Sequence, residues 1–321
     1  MKAITYHRYG PPEVLTFSEV ATPLPRANEI RIKVHASTIN RTDCGFRSAV
    51  YFISRFWSGL FKPKQPILGS EFSGVVDLVG DAVTQFKIGD RVFGYDDEQF
   101  GGFGEYLTID ESKAIATLPA NFSFDEGAAL LEGGHYALMD IKAAKVQEGD
   151  QVMVYGATGA IGSAAVQLLK YFGAEVTAVG NTPNLSLLKD LGADHVIDYQ
   201  KDDFTQCGRH FDFIFDAVGK SSFKACKPLL KKKGVYISTE LGERGVNLIL
   251  PLFTRLVGTK RVLFPIPSIN QQDAQFFKEL AEKGCFKPVI DKVYPYHEAI
   301  QACKYVESGQ KTGNVILKMP F

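Results

Sequence analysis

Residues 151–179 read Q-V-M-V-Y-G-A-T-G-A-I-G-S-A-A-V-Q-L-L-K-Y-F-G-A-E-V-T-A-V. The first five are a short apolar run suited to a strand buried on both faces. Gly156, Gly159 and Gly162 then recur at three-residue spacing. The run 163–172 is apolar on one face (Ala164, Ala165, Leu168, Leu169, Phe172), and Gly173 stops it as a C-terminal cap. A second strand follows at 175–179. This is a βαβ unit, the context in which a glycine-rich turn acquires meaning. Gly159 lets backbone N–H groups approach a pyrophosphate, and Gly162 lets the helix sit tightly on the strand. The helix N-terminus attracts the anion through its free N–H groups and dipole. Ala157 stands where the usual fingerprint has its first glycine. A close-packed turn without ligand would use similar residues; the flanking strands favour the nucleotide.

The chain has 321 residues, enough for two domains with a sizeable core. Lys plus Arg and Asp plus Glu are both 36, so the net charge is zero and no electrostatic footprint for nucleic acid or acidic membrane exists. No long apolar run suits a membrane span, and the N-terminal residues M-K-A-I-T-Y-H-R-Y-G lack a signal-peptide core. The expectation is a cytoplasmic protein that engages neither nucleic acid nor membrane. Cys44, Cys207, Cys226, Cys285 and Cys303 are widely spaced. They read as free thiols, neither a disulfide framework nor a clustered structural zinc site.

Either side of the glycine turn the pattern differs. Residues 1–123 read as all-β, with strands at 3–6, 15–20, 29–37, 74–79 and 91–95 and turn signals between them, which suggests a barrel. Residues 40–48 leave the third strand as a short helix. The aromatic stretch 50–61, with Tyr51, Phe52, Phe56, Trp57 and Phe61, reads equally as a packing helix or as a hydrophobic pocket wall. From 124 helices and strands alternate: helix 124–145, helix 185–191, strand 195–198, strand 211–217, helix 223–230 and strand 235–238. That alternation implies a parallel, doubly wound sheet. Helices 271–283 and 298–307 and strand 315–318 complete the chain. The expected fold class is therefore α/β. Its expected domains are 1–123, a Rossmann-type domain 124–266, and a return to the first domain over 267–321.

With both halves read, the chain resembles the medium-chain dehydrogenase/reductase superfamily, in its zinc-free quinone oxidoreductase-like branch. The resemblance rests on V-H-A-S-T-I-N-R-T-D (34–43), I-L-G-S-E-F-S-G-V-V (67–76), F-K-I-G-D-R-V-F-G (86–94), Y-G-A-T-G-A-I-G (155–162), L-G-A-D-H-V-I-D-Y (191–199), F-D-A-V-G (215–219) and K-T-G-N-V-I-L (311–317). It implies a GroES-like β-barrel catalytic domain, a Rossmann domain inserted in it, and a cleft for nicotinamide and substrate. Zinc-dependent cousins place a Cys ligand where this chain has Asn40 and a His ligand where it has Ser70. No Cys stands at the third ligand position within 132–150, and 94–113 lacks the four-cysteine structural lobe. Zinc is therefore not expected.

Without a Lewis acid, a conjugated enone or quinone is the easier electrophile, because it delocalises the charge left by hydride attack. The resemblance makes Asn40 the candidate donor at the carbonyl. Asp43 is a loop-orienting residue or a helix N-terminal acid, and Tyr51 lies near the tyrosine that some related reductases use as proton donor. For the cofactor, Gly156, Ala157, Thr158, Gly159, Ala160, Ile161 and Gly162 would form the pyrophosphate turn. Asn181, Thr182, Asn184 and Tyr199 would meet the adenosine ribose or its phosphate. Ala217, Val218 and Gly219, with Thr239 and Leu241 close by, would line the nicotinamide ribose, and Asn314 holds a tail position that reaches the cofactor in relatives. No acid follows Val179, so NADPH is expected over NADH. The expected activity is zinc-independent, NADPH-dependent hydride transfer to a quinone or α,β-unsaturated carbonyl. The alternatives are a zinc-free carbonyl reductase or alcohol dehydrogenase, and a cofactor-binding protein with a structural or regulatory role. Relatives often pair through edge strands, so the resemblance also implies a homodimer.

Overall fold

The computed structural model describes residues 1–50 and 55–320. The chain forms two compact units, Met1–Glu132 with Ile269–Phe321, and Gly133–Ser268. These divisions fall at 132/133 and 268/269, slightly beyond 123/124 and 266/267. The reason lies in the segment expected as one helix over 124–145. It breaks in two. Phe124–Gly127 is closed by a capping box in which Ser123 and Glu126 satisfy each other's backbone N–H. Ala128 to Leu131 are all buried, and Ala128 and Ala129 pack on Ala36 and Ile316 of the first unit. A new helix, Glu132–Ala144, then begins.

The first unit carries a seven-stranded sheet. Its order is Ile290–Pro295, Asn314–Lys318, Glu29–Thr38, Glu71–Val79, Arg91–Tyr95 and Ala114–Thr117, with Tyr106–Asp110 also pairing on Glu29–Thr38. All pairs but the first are antiparallel. Together with its covering helices this is the GroES-like domain. Glu29–Thr38 is the hub, since it meets three other strands. Its register against Glu71–Val79 shifts between Arg31/Ile32 and Val34/Ala36, and such irregularities bend a strand. Its end runs directly into the helix Arg41–Ser48, and so sets Thr38 and Asn40 beside the start of Glu71–Val79.

The second unit is a six-stranded, wholly parallel sheet. Its order is His195–Asp198, Glu175–Gly180, Gln151–Tyr155, Phe211–Asp216, Leu230–Ser238 and Arg261–Leu263. Taken along the chain this is 3-2-1-4-5-6, the doubly wound dinucleotide-binding order. Val152, Met153, Val154, Ile214 and Phe215 are fully buried, as strands covered on both faces require. The order reverses between Gln151–Tyr155 and Phe211–Asp216, so a crevice opens beyond the carboxyl ends of those two strands.

Several boundaries differ from the sequence expectation for local reasons. The helix expected at 223–230 keeps only Phe223–Cys226 and passes into a 3₁₀ turn, Lys227–Leu229, because Pro228 offers no N–H to continue it. Strands Tyr106–Asp110, Ala114–Thr117, Arg261–Leu263 and Ile290–Pro295 were not anticipated, nor was the helix Val246–Val257. Of the aromatic stretch, Arg55–Ser58 is one helical turn, with Phe56 and Trp57 about two-thirds exposed. Tyr51 lies outside the described residues. Among those residues no helix is long and apolar enough to cross a membrane.

Candidate active site and dinucleotide turn

The glycine turn sits at the switch point. Gly156 leaves its strand at φ +77°, a backbone state that a side chain disfavours. Ala157 explains the missing first glycine of the fingerprint. Its side chain is fully buried and its N–H bonds to Val179 O at 3.0 Å, so it extends the sheet. A Cβ at Gly162 would lie 2.2 Å from Gly156 O, which is why only glycine lets the helix Ala160–Tyr171 approach. Gly159 is the N-cap of that helix and no side chain caps it, so the first N–H groups, at Ala160 and Ile161, remain for an anion. Thr158, just before Gly159 in the turn, is partly exposed.

Beyond Glu175–Gly180 the chain makes a 3₁₀ turn, Thr182–Asn184. Asn184 Nδ2 donates to Asn181 Oδ1 at 2.8 Å, and Thr182 N donates to Gln200 Oε1 at 3.1 Å. The loop has no acid of its own in sequence, yet it meets one in space. Asp198, at the end of the neighbouring strand, accepts the Thr182 hydroxyl and lies 3.7 Å from Lys201 Nζ. The Thr182 bond first, and Lys201 after it, hold that carboxyl below its usual range. Its charge is thus partly answered, while Tyr199 and the Lys201 side chain stand well exposed beside it.

At the other lip, Asp216 organises the segment Ala217, Val218 and Gly219. Its Oδ1 accepts from Val218 N and Gly219 N at 3.3 and 2.8 Å. Its Oδ2 accepts from Ser221 N at 3.0 Å and Tyr236 Oη at 3.1 Å. Thr239 N donates to Asp216 O, which ties the end of Leu230–Ser238 to this corner, and Leu241 O accepts from Asn247 N. Asp216 was missed as a site residue although it stands inside the F-D-A-V-G motif. A buried acid at the end of an otherwise apolar strand is the signal that would have found it.

The first unit builds a second polar centre where Glu29–Thr38 runs into Arg41–Ser48. Asn40 is the N-cap of that helix. Its Oδ1 accepts from Asp43 N at 2.8 Å, and its Nδ2 donates to Ser70 Oγ at 2.9 Å and to Thr38 Oγ1 at 3.3 Å. The two positions that bear metal ligands in zinc-dependent cousins are therefore joined by a hydrogen bond. Asn40 is 4% exposed, and both its amide protons are engaged. Asp43 Oδ1 accepts from Gly69 N and Ser70 N, each at 3.1 Å. Its Oδ2 is buried with no partner among the described residues. Burial pushes its carboxyl up to about 8, against the pull of those backbone bonds.

Two further acids continue the network. Glu71 Oε2 accepts from Thr38 Oγ1 at 2.9 Å, and its Oε1 accepts from Leu131 N and Glu132 N at 2.5 and 2.9 Å. It thereby caps the N-terminus of the helix Glu132–Ala144 from a distant strand. Burial pushes Glu71 up to about 8 as well, with Glu132 adding to the rise. Glu132 Oε1 in turn accepts from Thr42 Oγ1 at 3.1 Å. Sequence reasoning did not single out Thr38, Thr42, Glu71 or Glu132, since their partners lie in other elements. Asn314 is inside the same unit, where its Nδ2 donates to Val289 O at 3.0 Å. Among the described residues no group of three or more His, Cys, Asp or Glu is arranged to hold a metal.

The Asn40 geometry has a direct consequence. Asn40→Ala removes the cap and leaves the buried Asp43 N–H unpaired, an expected loss of about 1–2 kcal/mol in unfolding free energy. Asn40→Ser keeps a capping oxygen and should recover most of it. Urea denaturation of the two variants checks this; equal losses would show that the cap is not what Asn40 supplies.

Two family profiles match the chain. Residues 26–120 match "Alcohol dehydrogenase GroES-like domain" and residues 191–317 match "Zinc-binding dehydrogenase". A 2-methylene-furan-3-one reductase of Solanum lycopersicum is 33% identical, over 99% of this chain and 79% of that protein. A quinone oxidoreductase of Mus musculus is 32% identical, over 99% of this chain and 97% of its own length. The crystal structure of Escherichia coli quinone oxidoreductase complexed with NADPH superposes with a TM-score of 0.84 at 25% identity, covering 99% of this chain and all of that one.

Proposed function

The chain belongs to the medium-chain dehydrogenase/reductase superfamily, in its quinone oxidoreductase-like branch, and on that premise we propose that it is an NADPH-dependent reductase of quinones or α,β-unsaturated carbonyls. NADPH, when bound, supplies the hydride. The residues present fit it. The amides at Ala160 and Ile161 would take the pyrophosphate, and Asn181, Thr182 and Asn184, with Tyr199 and Lys201, would take the ribose and its 2′-phosphate. Ala217, Val218 and Gly219, held by Asp216, would support the nicotinamide ribose, with Thr239 and Leu241 beside them. Asn40 and Asp43 act here as positioning residues, since their hydrogen bonds hold Ser70 and the start of the helix that carries Thr42. Tyr51 stays a candidate substrate-side residue, with core packing as its other reading, and Asn314 a tail contact to the cofactor.

The observation that carries the substrate class is the Asn40–Ser70 hydrogen bond. Catalytic zinc takes about three N, S or O ligands. Here the first two positions are a neutral amide and a hydroxyl committed to each other, with Asn40 Oδ1 closed by Asp43 N. This donor set does not fit zinc. An electrophile that spreads its own negative charge suits such a site; a saturated ketone does not. The reductase should therefore keep its activity after EDTA treatment and carry no stoichiometric zinc by elemental analysis. Loss of activity on chelation, restored by zinc, would overturn this reading. NADPH oxidation on matched enones, quinones and saturated ketones tests the substrate class; equal turnover of ketone and enone would make the protein a carbonyl reductase. The Arg261–Leu263 strand ends the parallel sheet beside a helix whose Leu252, Phe253 and Leu256 are exposed, which supports a homodimer.

A further inference from the structure

Reducing an enone requires a proton as well as a hydride, and resting on the reductase reading, we propose that Glu132 delivers that proton through the Thr42 hydroxyl. Thr42 is partly exposed, whereas Glu132 beneath it is 4% exposed, and the two oxygens are 3.1 Å apart. A hydroxyl can give one proton while taking another. Thr42 therefore joins a reachable surface to a buried acid. Glu132 is held in place from its own backbone, because its N–H donates to Glu71 Oε1 at 2.9 Å.

The groups facing Glu132 come from every neighbouring element. They are Arg41 and Asp43 from the helix that carries Thr42, Glu71 from its strand, Asp97 from the loop after Arg91–Tyr95, and Lys311 from the turn before the last strand. Burial raises the Glu132 carboxyl above its ordinary range; Lys311 is the strongest force opposing that rise, followed by the Thr42 bond and Arg41. Lys311 is itself pushed down, by burial first, with Glu132 resisting.

The step balances. Hydride addition leaves an enolate. The Thr42 O–H bond breaks toward the enolate, Thr42 Oγ1 takes the proton of the Glu132 carboxyl, and Glu132 is left as carboxylate, to which the Thr42 hydroxyl then donates. Glu132 then regains its proton from water. No electrons move in the relay, and NADPH is the only reductant.

The test uses the full chain with NADPH, cyclohexenone and 1,4-benzoquinone, in wild type, Glu132→Gln, Thr42→Val and Lys311→Met. A hydroquinone anion leaves and takes its proton from water, so the relay matters less for the quinone. Glu132→Gln and Thr42→Val should each lower kcat on the enone by about 10²-fold, and at least about tenfold more than on the quinone. Wild-type kcat on the enone should fall as pH rises through the relay's titration, and Glu132→Gln should flatten that limb. Lys311→Met should move the same limb to higher pH, since loss of the nearby cation lets burial raise the Glu132 carboxyl further. Apart from turnover, the infrared band of a protonated carboxyl should persist above the ordinary Glu range in wild type and diminish in Glu132→Gln. Equal losses on both substrates, or an unchanged pH profile with an unchanged carboxyl band, would overturn the relay while leaving the reductase intact. A wild type that oxidises NADPH with neither electrophile would overturn both readings.

Discussion

Gly162→Val is expected to weaken NADPH binding by about 10²-fold or more, and to lower thermal stability with it. The Cβ at this position would meet Gly156 O at 2.2 Å, Ala157 Cα at 2.7 Å and Gly156 C at 2.9 Å. All three are backbone atoms, so no rotamer relieves the clash. The helix must retreat from the turn, and its first N–H groups then no longer converge on one point. Overpacking of this kind costs about 1–3 kcal/mol or more, and about 2.7 kcal/mol corresponds to 10² in affinity. Gly159→Ala separates two causes. There the Cβ would be 3.6 Å from Gly156 O and 3.9 Å from Val218 Cγ1, with φ at −74°, so the free protein accepts it. Its melting temperature should stay close to wild type while its NADPH affinity falls, because the methyl stands where the phosphate must come. Fluorescence titration with NADPH beside a thermal melt reads both quantities. A Gly159→Ala variant that binds NADPH normally would remove the pyrophosphate from this turn.

The second large effect is on coenzyme choice. Wild type should prefer NADPH over NADH by about ten- to a thousandfold in kcat/KM, from one to three hydrogen bonds to the 2′-phosphate. Asn181→Asp should reverse the preference. Asn184 Nδ2 already donates to Asn181 Oδ1, and an aspartate would keep that bond while setting a carboxylate at the end of Glu175–Gly180. The spatial surroundings sharpen the expectation. Asp198 is near the same loop, but Thr182 and Lys201 hold it, so wild type lacks a free charge to repel the phosphate. Steady-state kinetics with both coenzymes settles the matter; a wild type favouring NADH would mean that Asp198 acts as the ribose acceptor after all.

These two predictions draw on the chain differently. What decides Gly162 was legible in residues 151–179, because strand, turn and helix are contiguous and Gly162 meets Gly156 and Ala157, only a few positions away, whereas Gly159 also has Val218 of a later strand end beside it. For the second, the loop's lack of an acid was legible, whereas Asp198 and Lys201 enter from the next strand. The same division runs through the first unit. Asn40, Asp43 and Ser70 stood out as positions, yet the direction of their hydrogen bonds was not readable. Thr38, Glu71 and Glu132 are separated by tens of residues and meet only because a bent strand, its partner strand and a helix start converge.

Periodicity also failed where local rules compete. The run 124–145 is helical in composition throughout, and the break at Ala128 to Leu131 follows from packing on Ala36 and Ile316. Short edge strands such as Arg261–Leu263 carry too few residues to show a period, and their pairing partner is what makes them strands.

By itself, then, the amino-acid sequence determined the doubly wound sheet, the glycine turn and its ligand class, and the replacement of two metal-ligand positions. Those are properties of short contiguous segments, set by backbone sterics and side-chain period. Only the tertiary structure decided that Asn40 is turned inward as a cap and that Asp216 holds the Ala217–Gly219 loop. It alone joined Glu71 and Glu132 into one buried network behind Thr42. Such contacts are fixed by which distant elements pack together, and by the cost of burying a carboxylate without partners, which no local pattern encodes.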